Sequence, residues 1–564
     1  SFQRVRENGY LYVDKTDLIY DLVHSGIYVF LSRPRRFGKS LLCDTLRCYF
    51  EGRKELFEGL RIAQMETEWR QHPVIRLDMS GIDGTARGLT SRLNMIFGNY
   101  EEQYGLAPLQ ETTELVLSPN FGARFERIIM AAYRQSGQQV VVLIDEYDRP
   151  LQQTWQTEEH DRTRAVYRSV LELLKPLGDY LRFVFLTGIT KFTQLSLFSS
   201  INNLRNISFD GRYAALCGIT EDELHTCLAD HIAQLAQARG WTIEETYKAL
   251  KANYDGYHFS KRNMVDVYNP FSVLNAINSQ ELDNFWASSG ATSILTKFVP
   301  DLVERINDYA DNYLIDRFTL ETSDITTNEY GLFMYQSGYL TIKDFNDFSY
   351  TLCFPNEEVR QALYKMVLPS VMLRDTGELR STQVRLAMAL STGDVPMAFA
   401  LLKAQVADVP YSNIKYAERV MHIEERYRLI ITIILRALGF RVEVERMQAG
   451  GRPDIVLYTP KFTYILELKT ESNGGVAAAA QQIRDRNYIE PFLQGTHQCK
   501  RSSNAATGSA GVSPAEDGKT DILPASSSSG TTAAETAAYP EVIALAISVQ
   551  DEGKGLIEYE EIER

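Results

Sequence analysis

The C-terminal third of the chain contains the stretch RPDIVLYTPKFTYILELK, residues 452–469. Its apolar residues predict two short strands, Ile455 to Tyr458 and Phe462 to Leu468, because both runs are rich in β-branched and aromatic side chains. A tight turn at Thr459-Pro460-Lys461 separates them. The stretch is therefore predicted to form a β-hairpin.

The charged residues of this hairpin indicate chemistry. Side chains alternate across a strand, so Glu467 and Lys469 share one face. A loop symmetric about Pro460-Lys461 puts Asp454 opposite Glu467, so the three side chains converge. Two carboxylates there would hold Mg²⁺, and the ammonium would assist a metal-bound water or stabilise the charge of a transition state, as in a phosphodiesterase. Two alternatives stay open: a bulged or longer loop, because proline fits poorly in two-residue hairpin turns, and an edge hairpin with ordinary surface charges.

The flanking sequence predicts further elements around the hairpin. A helix from Tyr427 to Leu438 has apolar residues at helical spacing, and Gly439 stands where a glycine ends such a helix. A strand from Phe440 to Val444 follows, and a helix from Ala477 to Tyr488 comes after the hairpin. This order, with acidic residues at the start of the first helix, resembles the core of the PD-(D/E)XK nuclease superfamily over about residues 415–564.

This resemblance implies a set of active-site residues. Glu425 would be the carboxylate on the first helix, Asp454 and Glu467 the metal ligands, Lys469 the catalytic lysine, and Gln482 the glutamine on the following helix. Six basic residues near this site in sequence form either a nucleic-acid groove or a solvated surface: Arg446, Arg452, Lys461, Lys469, Arg484 and Arg486.

The N-terminal region contains a second motif. The apolar run Ile27 to Leu31 predicts a buried strand, which leads into the loop Ser32 to Ser40 and a helix from Leu41 to Phe50. A strand, a loop ending in Gly-Lys-Ser and a helix predict a P-loop, in which backbone N–H groups and the helix N-terminus bind phosphates. The chain departs from the standard pattern at its first glycine, which is Arg33.

An acidic pair supports this prediction. The run Val140 to Ile144 predicts a central parallel strand, and it ends in Asp145 and Glu146, as in a Walker-B motif. Asp145 would hold Mg²⁺, and Glu146 would polarise the attacking water. Lys39 would reach the β and γ phosphates of ATP, and Ser40 would ligate Mg²⁺. A solvated strand end is the alternative interpretation of the acidic pair.

Motifs along nearly the whole chain resemble those of bacterial proteins that have an AAA-ATPase-like N-terminal region and a C-terminal PD-(D/E)XK region. The arginine-rich loop is part of that resemblance, and Thr187, after a strand from Leu181 to Leu186, stands where AAA-type ATPases place a γ-phosphate sensor. The nucleotide contacts implied are Arg35, Arg36, Phe37, Gly38, Lys39, Ser40, Leu41, Asp145 and Thr187. The motifs quoted are residues 12–16, 33–40, 186–192, 254–259, 268–272, 338–340 and 355–360.

Length and composition predict an α/β protein of several domains. At 564 residues the chain exceeds a single hydrophobic core. We expect a parallel-sheet nucleotide-binding domain in residues 1–210, a mostly helical lid or linker in 211–410, and a nuclease-like domain in 411–564. Within the last, a Ser-, Ala-, Thr- and Gly-rich insertion at about 495–539 is predicted to be disordered. The helices predicted for the middle region are 221–238, 243–254, 270–277 and 395–405.

Bulk properties narrow the class of protein. A net charge of −14 argues against a protein that coats nucleic acid generally, although a local groove stays open. The six cysteines have no zinc-type spacing, which favours a reduced, cytoplasmic setting. No signal-peptide pattern and no apolar run long enough to span a bilayer is present in the sequence.

The sequence leaves three functions to weigh. The first is an ATP-binding, ATP-hydrolysing protein fused to a magnesium-dependent nuclease that acts on DNA or RNA. The second is a nucleotide-dependent switch whose nuclease-like domain binds nucleic acid or a partner without cutting it. The third is a helical scaffold with a vestigial P-loop, in which Lys39 would point away from any phosphate-sized cavity. Two roles stay open for His258, phosphate sensing and a structural one. Arg205 would contact the nucleotide from a neighbouring segment or subunit, and an oligomer is compatible with the sequence.

Overall fold

The computed structural model describes thirteen stretches of the chain. They are residues 1–82, 85–107, 120–190, 204–262, 265–288, 306, 312–322, 330–372, 376–407, 423–448, 451–493, 540–551 and 555–562. The predicted insertion at 495–539 lies outside them. The chain forms two compact units, Ser1–Val371 and Met372–Arg564. The division predicted at residues 210 and 410 stays a prediction.

The first unit contains a five-stranded parallel sheet. Its strands lie in the order β2-β3-β4-β1-β5, and all four neighbouring pairs are parallel. Every residue of β3 is buried, as the uninterrupted apolar run predicts for a strand covered on both faces. The strands are β1 (Tyr28–Ser32), β2 (Val74–Asp78), β3 (Val140–Asp145), β4 (Leu181–Gly188) and β5 (Arg205–Asn206).

Eight helices accompany this sheet among the described residues. The helix that follows the P-loop begins at Lys39, where Gly38 adopts a left-handed conformation with φ of 87°. The helices are α1 (Phe2–Glu7), α2 (Thr16–His24), α3 (Lys39–Phe50), α4 (Ile62–Met65), α5 (Ala86–Gln103), α6 (Phe121–Ser136), α7 (Arg149–Thr154) and α8 (Glu159–Leu171).

The described residues in the rest of the first unit are mostly helical, as predicted. The predicted helix 221–238 is divided at Leu228, because the chain leaves helical geometry there. Two small antiparallel sheets, β6-β7 and β8-β10-β9, were not predicted. The helices are α9 (Glu221–Cys227), α10 (Ala229–Arg239), α11 (Ile243–Tyr254), α12 (Pro270–Ser279), α13 (Phe285–Ser288), α14 (Arg317–Thr322), α15 (Tyr330–Ser337) and α16 (Glu357–Met372), and the strands are β6 (Ile219–Thr220), β7 (Val267–Tyr268), β8 (Tyr313–Asp316), β9 (Thr341–Phe345) and β10 (Ser349–Cys353).

The second unit is a five-stranded mixed sheet with helices. The strand order is β11-β12-β13-β14-β15, and the pair β13/β14 is parallel whereas the others are antiparallel. Two alanines of α20, Ala479 and Ala480, pack against Ile465 and Ala544 on one face. The elements are α17 (Thr376–Thr392), α18 (Val395–Ala407), α19 (Ile423–Ala437), β11 (Arg441–Val444), β12 (Ile455–Tyr458), β13 (Phe462–Thr470), α20 (Gly475–Asp485), α21 (Glu490–Leu493), β14 (Glu541–Val549) and β15 (Leu556–Ile562).

Candidate functional sites

The loop between β1 and α3 surrounds the ammonium of Lys39. Arg36 and Gly38 both have positive φ, 71° and 87°, so the loop turns sharply before the helix. Lys39 is 8 % exposed, and its Nζ donates to the carbonyl oxygens of Arg33 at 2.9 Å and Pro34 at 2.8 Å. Burial lowers the pKa of Lys39, and nearby Asp148 opposes that shift. The loop carbonyls therefore hold the ammonium group of Lys39 in place, and this positive charge would attract a phosphate oxygen.

A cavity of about 460 Å³ adjoins this loop. Lys39 lines this cavity. A vestigial P-loop would instead have Lys39 pointing away from any phosphate-sized cavity. Of the residues predicted from the loop, all line the cavity except Phe37. The lining residues are Arg35, Arg36, Gly38, Lys39, Ser40, Leu41, Glu146, Asp148, Arg149, Gln152, Gly188 and Ile189.

Asp145 lies at the end of β3 and fits a cation-binding role. It is 2 % exposed, and its Oδ2 lies 3.3 Å from Nη2 of Arg76. Its buried Oδ1 has no hydrogen-bond partner within the part of the chain that the structure describes. Burial raises the pKa of Asp145, whereas the nearby Ser40 hydroxyl and the charge of Arg76 lower it. An orphaned buried carboxylate oxygen beside a serine hydroxyl is a donor set suited to Mg²⁺.

Phe37 does not line this cavity; it lines a second, mostly apolar cavity and packs against two aromatic rings. Its ring centre lies 4.7 Å from that of Tyr257 and 5.4 Å from that of Phe259. A Cβ built on Gly338 would lie 2.6 Å from Cβ of Pro34, so only glycine fits there. Motifs that are distant in sequence, residues 254–259 and 338–340, thus pack on the outer side of the P-loop.

Arg33, which replaces the first glycine of the standard P-loop pattern, is a buried anchor. Its Nη1 donates to the carbonyl oxygens of Ser32 and Ser208, both at 2.9 Å, and its Nη2 donates to that of Tyr213 at 3.1 Å. The guanidinium lies 4.1 Å from the centre of the Phe259 ring. Arg33 therefore ties the loop to the segment after β5 and to the middle region.

The two predicted catalytic or sensing residues at the strand ends are placed differently. Glu146 lines the cavity, and its Oε2 lies 2.7 Å from Nη1 of Arg149. Thr187 does not line it, because its hydroxyl donates to the carbonyl oxygen of Leu31 at 2.9 Å inside the sheet. The next residue, Gly188, reaches the cavity instead.

Neither His258 nor Arg205 lies among the residues that line the cavity. His258 is ion-paired with Asp266, and its Nδ1 lies 2.8 Å from the carbonyl oxygen of Ile342. Arg205 pairs with Asp210 at 2.7 Å. Both residues have structural partners within the first unit.

A second, mostly apolar cavity of about 250 Å³ adjoins the P-loop, and Gly38 and Leu41 line both cavities. The second is bounded by the segment before α2, which contributes Leu11, Tyr12 and Val13, and by Leu216, Cys217 and Gly218 before β6. A polar cavity and an apolar one thus meet at the start of α3.

In the second unit, the register of the hairpin is the one predicted. Ile455 pairs with Leu466 and Tyr458 with Thr463, and the amide of Thr459 donates to the carbonyl oxygen of Phe462 at 2.8 Å. The loop is therefore Pro460-Lys461, and Asp454 lies opposite Glu467. The alternative of a bulged hairpin is excluded.

Asp454, Glu467 and Lys469 meet beside this hairpin. The amide of Asp454 donates to Oε2 of Glu467 at 3.2 Å, and Nζ of Lys469 lies 3.5 Å from Oε1 of Glu467. Burial, and then the charge of Asp454, raise the pKa of Glu467 to about 8. Burial also raises the pKa of Asp454. Two buried carboxylates that repel each other in this way would gain from a shared divalent cation.

The helix carboxylate beside Lys469 is Glu424, and not the predicted Glu425. Oε2 of Glu424 lies 3.8 Å from Nζ of Lys469, and Oε1 accepts from the amide of Thr470 at 3.0 Å and from Nδ2 of Asn473 at 2.8 Å. None of the site contacts among the described residues involves Glu425. Consecutive residues at a helix start point about 100° apart, so the docking of α19 decides which acid faces the sheet.

Gln482 reaches the site as predicted, since its Nε2 donates to Oε1 of Glu467 and to the hydroxyl of Tyr488 at 3.2 Å. Tyr488 in turn donates to the carbonyl oxygen of Arg452 at 3.1 Å. Three of the six basic residues pair with acids: Lys469 with Glu467 as described above, Arg446 with Glu443 at 3.1 Å and Arg484 with Glu560 at 2.8 Å.

Sequence reasoning missed one residue in each unit: Arg428, beside the carboxylates of the second unit, and Asp148, at the P-loop cavity of the first. Nη1 of Arg428 lies 3.0 Å from Oδ1 of Asp454 and 3.1 Å from Oε1 of Glu445. Asp148 is 1 % exposed and lines the cavity of about 460 Å³ beside the P-loop. The spacing of Glu424 and Arg428, four residues apart on a helix, would have indicated Arg428. The largely acidic run from Asp145 to Asp148 would have indicated Asp148.

Within the described ranges, no three His, Cys, Asp or Glu side chains are close enough together to hold a metal ion. Mg²⁺ nevertheless needs only one or two protein carboxylates, because water and substrate phosphates supply its other ligands. Both acidic clusters fit that description.

The parallel sheet and the P-loop of the first unit define a protein of the AAA-ATPase-like class, and the sheet of the second unit has the PD-(D/E)XK order. Residues 1–198 match the family model described as "Predicted AAA-ATPase", and residues 422–506 match that of the PD-(D/E)XK nuclease superfamily. An "Uncharacterized protein in vnfD 5'region" from Azotobacter chroococcum mcd 1 is 31 % identical over 512 residues, which are 87 % of this chain and 92 % of that protein. The chain belongs to the same family as that relative. In this chain the AAA-ATPase-like region precedes the PD-(D/E)XK region.

Among the described residues, no helix is both long and apolar enough to cross a membrane.

Proposed function

We propose that the protein binds and hydrolyses ATP in its first unit and cleaves DNA or RNA with a magnesium-dependent site in its second unit. The observation that carries the nuclease assignment is the register that sets Asp454 opposite Glu467, with Lys469 on the same face as Glu467. The ATP assignment is supported by Lys39 at the wall of a cavity of about 460 Å³.

ATP has a polar triphosphate and a less polar adenine, and the two adjoining cavities differ in the same way, one polar and one mostly apolar. The triphosphate would lie against Lys39, Arg35 and the N-terminus of α3, where N–H groups and cations attract phosphate. The adenine would enter the apolar cavity that begins at Gly38 and Leu41. Mg²⁺, held by Ser40 and Asp145, would neutralise charge on the phosphates.

Glu146 has the position of a general base, because it lines the same cavity as Lys39. Its carboxylate would accept a proton from water while the water oxygen bonds to the γ-phosphorus. The bond from that phosphorus to the bridging oxygen would break, and ADP would leave with the electron pair.

In the second unit, Asp454 and Glu467 would hold Mg²⁺, which lowers the pKa of a bound water and stabilises phosphate charge. Lys469 would orient or polarise the attacking water near the scissile phosphate. Gln482 donates to Glu467 and fixes its carboxylate, and Glu424 fixes the segment that follows Lys469 through the amide of Thr470.

The experiment is to incubate the full chain with Mg²⁺, ATP and labelled DNA or RNA, and to compare Lys39→Ala, Asp454→Asn and Glu467→Gln. Lys39→Ala should abolish ATP binding and hydrolysis, whereas the carboxylate variants should abolish cleavage and retain ATP binding. Lys248→Ala, an exposed lysine on α11, and Asp485→Asn, on α20, are the matched controls. Cleavage that survives in both carboxylate variants would overturn the nuclease assignment.

A second candidate function is a nucleotide-dependent switch whose second unit binds nucleic acid without cutting it. One observation favours it: the guanidinium of Arg428 pairs with Oδ1 of Asp454, an oxygen that a metal would need. Binding of nucleic acid without cleavage in Mg²⁺ or Mn²⁺ would support this candidate.

A further inference from the structure

Glu146 has an unusual backbone conformation at the nucleotide cavity. Its φ is 52°, in the left-handed region that residues with a Cβ rarely adopt. Such strain persists where the surroundings enforce it, and it concentrates at functional sites. The turn it produces brings Glu146 and the start of α7 to the wall of the cavity.

Arg149 lies three residues later and lines the same cavity. Its Nη1 is 2.7 Å from Oε2 of Glu146, and about two-fifths of the Arg149 side chain is exposed. An ion pair this open to solvent is weak, so a stronger anion displaces it readily. In this state the pair holds the carboxylate that would otherwise be available to water.

The backbone around Arg149 is firmly fixed by Asp148. Oδ2 of Asp148 accepts from the amides of Ile189 at 2.9 Å and Thr190 at 2.6 Å, from the Thr190 hydroxyl at 2.7 Å, and from Nε2 of Gln152 at 2.6 Å. These bonds join the start of α7 to the end of β4. The movable part of Arg149 is therefore its side chain.

The cations of the cavity differ in how they are held. Lys39 donates to the loop carbonyls of Arg33 and Pro34, and the guanidinium of Arg36 lies 4.7 Å from the centre of the Phe271 ring. Arg149 is the cation whose partner is the expected general base, Glu146. A γ-phosphate offers paired oxygens that match the guanidinium fork, and ADP lacks this group.

We propose that Arg149 contacts the γ-phosphate and makes the site discriminate ATP from ADP, an inference that rests on the proposed ATP-binding function. When ATP binds, the guanidinium leaves Glu146 for the γ-phosphate oxygens. The carboxylate of Glu146 is then free to accept the proton of the attacking water. One exchange of partners thus both recognises the substrate and releases the base.

The test measures the affinity of the full-length protein for ATP and ADP with a fluorescent nucleotide as the competed probe, together with ATP hydrolysis. Arg149→Ala should lower the ratio of ATP to ADP affinity by about tenfold or more and reduce hydrolysis. Arg149→Lys keeps the positive charge but loses the two-pronged guanidinium, so its ratio of ATP to ADP affinity should lie between those of the wild type and Arg149→Ala. The control is Arg168→Ala, which removes a surface arginine paired with Glu172 on the same unit.

Glu146→Gln separates recognition from catalysis. It breaks the ion pair from the other side, so hydrolysis should be lost while the preference for ATP over ADP is kept or increased. If Arg149 only positions Glu146, both variants would keep the wild-type preference, and the inference would be overturned. Wild-type protein that binds no nucleotide at all would overturn the proposed ATP function and this inference together.

Discussion

The guanidinium of Arg33 lies 4.1 Å from the centre of the Phe259 ring. The two residues are more than 200 positions apart, and each belongs to a motif of its own. Arg33 also donates to three main-chain carbonyl oxygens, so it closes the gap between the P-loop, the segment after β5 and the middle region. The arginine that stands at the usual glycine position therefore anchors this P-loop to the rest of the first unit.

Arg33→Ala should therefore destabilise the first unit by about 3 kcal/mol, because it leaves buried carbonyl oxygens without a donor and opens a cavity. Urea unfolding followed by tryptophan fluorescence measures this directly, since the four tryptophans, Trp69, Trp155, Trp241 and Trp286, all lie in the first unit. Arg162→Ala, an arginine with a 77 % exposed side chain, is the control and should change little. Equal midpoints for the two variants would show that Arg33 does not anchor the loop.

Glu424 and Glu425 are neighbouring acids, so Glu424→Gln and Glu425→Gln form a matched pair of variants. Glu424→Gln should reduce cleavage by about tenfold, since the charge beside Lys469 is lost. Glu425→Gln should cleave like the wild type. Initial rates on one labelled substrate at saturating Mg²⁺ measure the difference, and the reverse ranking would restore Glu425 as the helix carboxylate.

Arg428→Gln should bind divalent cations more tightly, by about threefold to tenfold, because a positive charge 3.0 Å from Oδ1 of Asp454 is removed. Titration calorimetry with MgCl₂ or MnCl₂ measures this without any substrate. Arg446→Gln, which removes an arginine paired with Glu443, is the control. Affinity that is unchanged or weaker in Arg428→Gln would mean that the cation does not use that oxygen.

Glu358 predicts a pH dependence of stability in the first unit. It is 1 % exposed, and burial raises its pKa from 4.5 to about 7. Between pH 4.5 and 7 the folded unit keeps a proton that the unfolded chain releases, so this contribution is fully present below pH 4.5 and is lost as the pH rises through 7. The loss is about 3 kcal/mol at most.

Glu358→Gln keeps an uncharged side chain that still accepts from the amide of Trp286 and meets the Ser272 hydroxyl. The variant should therefore show a smaller fall in the unfolding midpoint between pH 5 and pH 8 than the wild type, again by tryptophan fluorescence. Parallel curves for the two proteins would assign the pH dependence to other groups.

The sequence was most informative where local chemistry decides the structure. The hairpin register follows from the turn at Pro460-Lys461 and the two-residue alternation of its strands, and both are local. The boundaries of β12 (Ile455–Tyr458) and α11 (Ile243–Tyr254) match the predicted ones, since apolar spacing and the capping residue Thr242 mark them.

Long-range packing decided what sequence reasoning missed. The choice between Glu424 and Glu425 depends on where α19 meets Thr470 and Asn473. Phe37 lines the apolar cavity and not the polar one, because Tyr257 and Phe259, more than 200 residues later, pack against its ring. The hydroxyl of Thr187 bonds to Leu31 on the neighbouring strand, which only the parallel pairing of β4 with β1 brings close.

The close approach of Gly338 to Pro34 has a consequence for dissecting the chain. A fragment cut at residue 198, where the ATPase family match ends, would lack Tyr257, Phe259 and Gly338 and would expose Phe37 to water. A truncation intended to isolate the first unit should therefore extend to about residue 371, so that the phosphate loop keeps its contacts with Tyr257, Phe259 and Gly338.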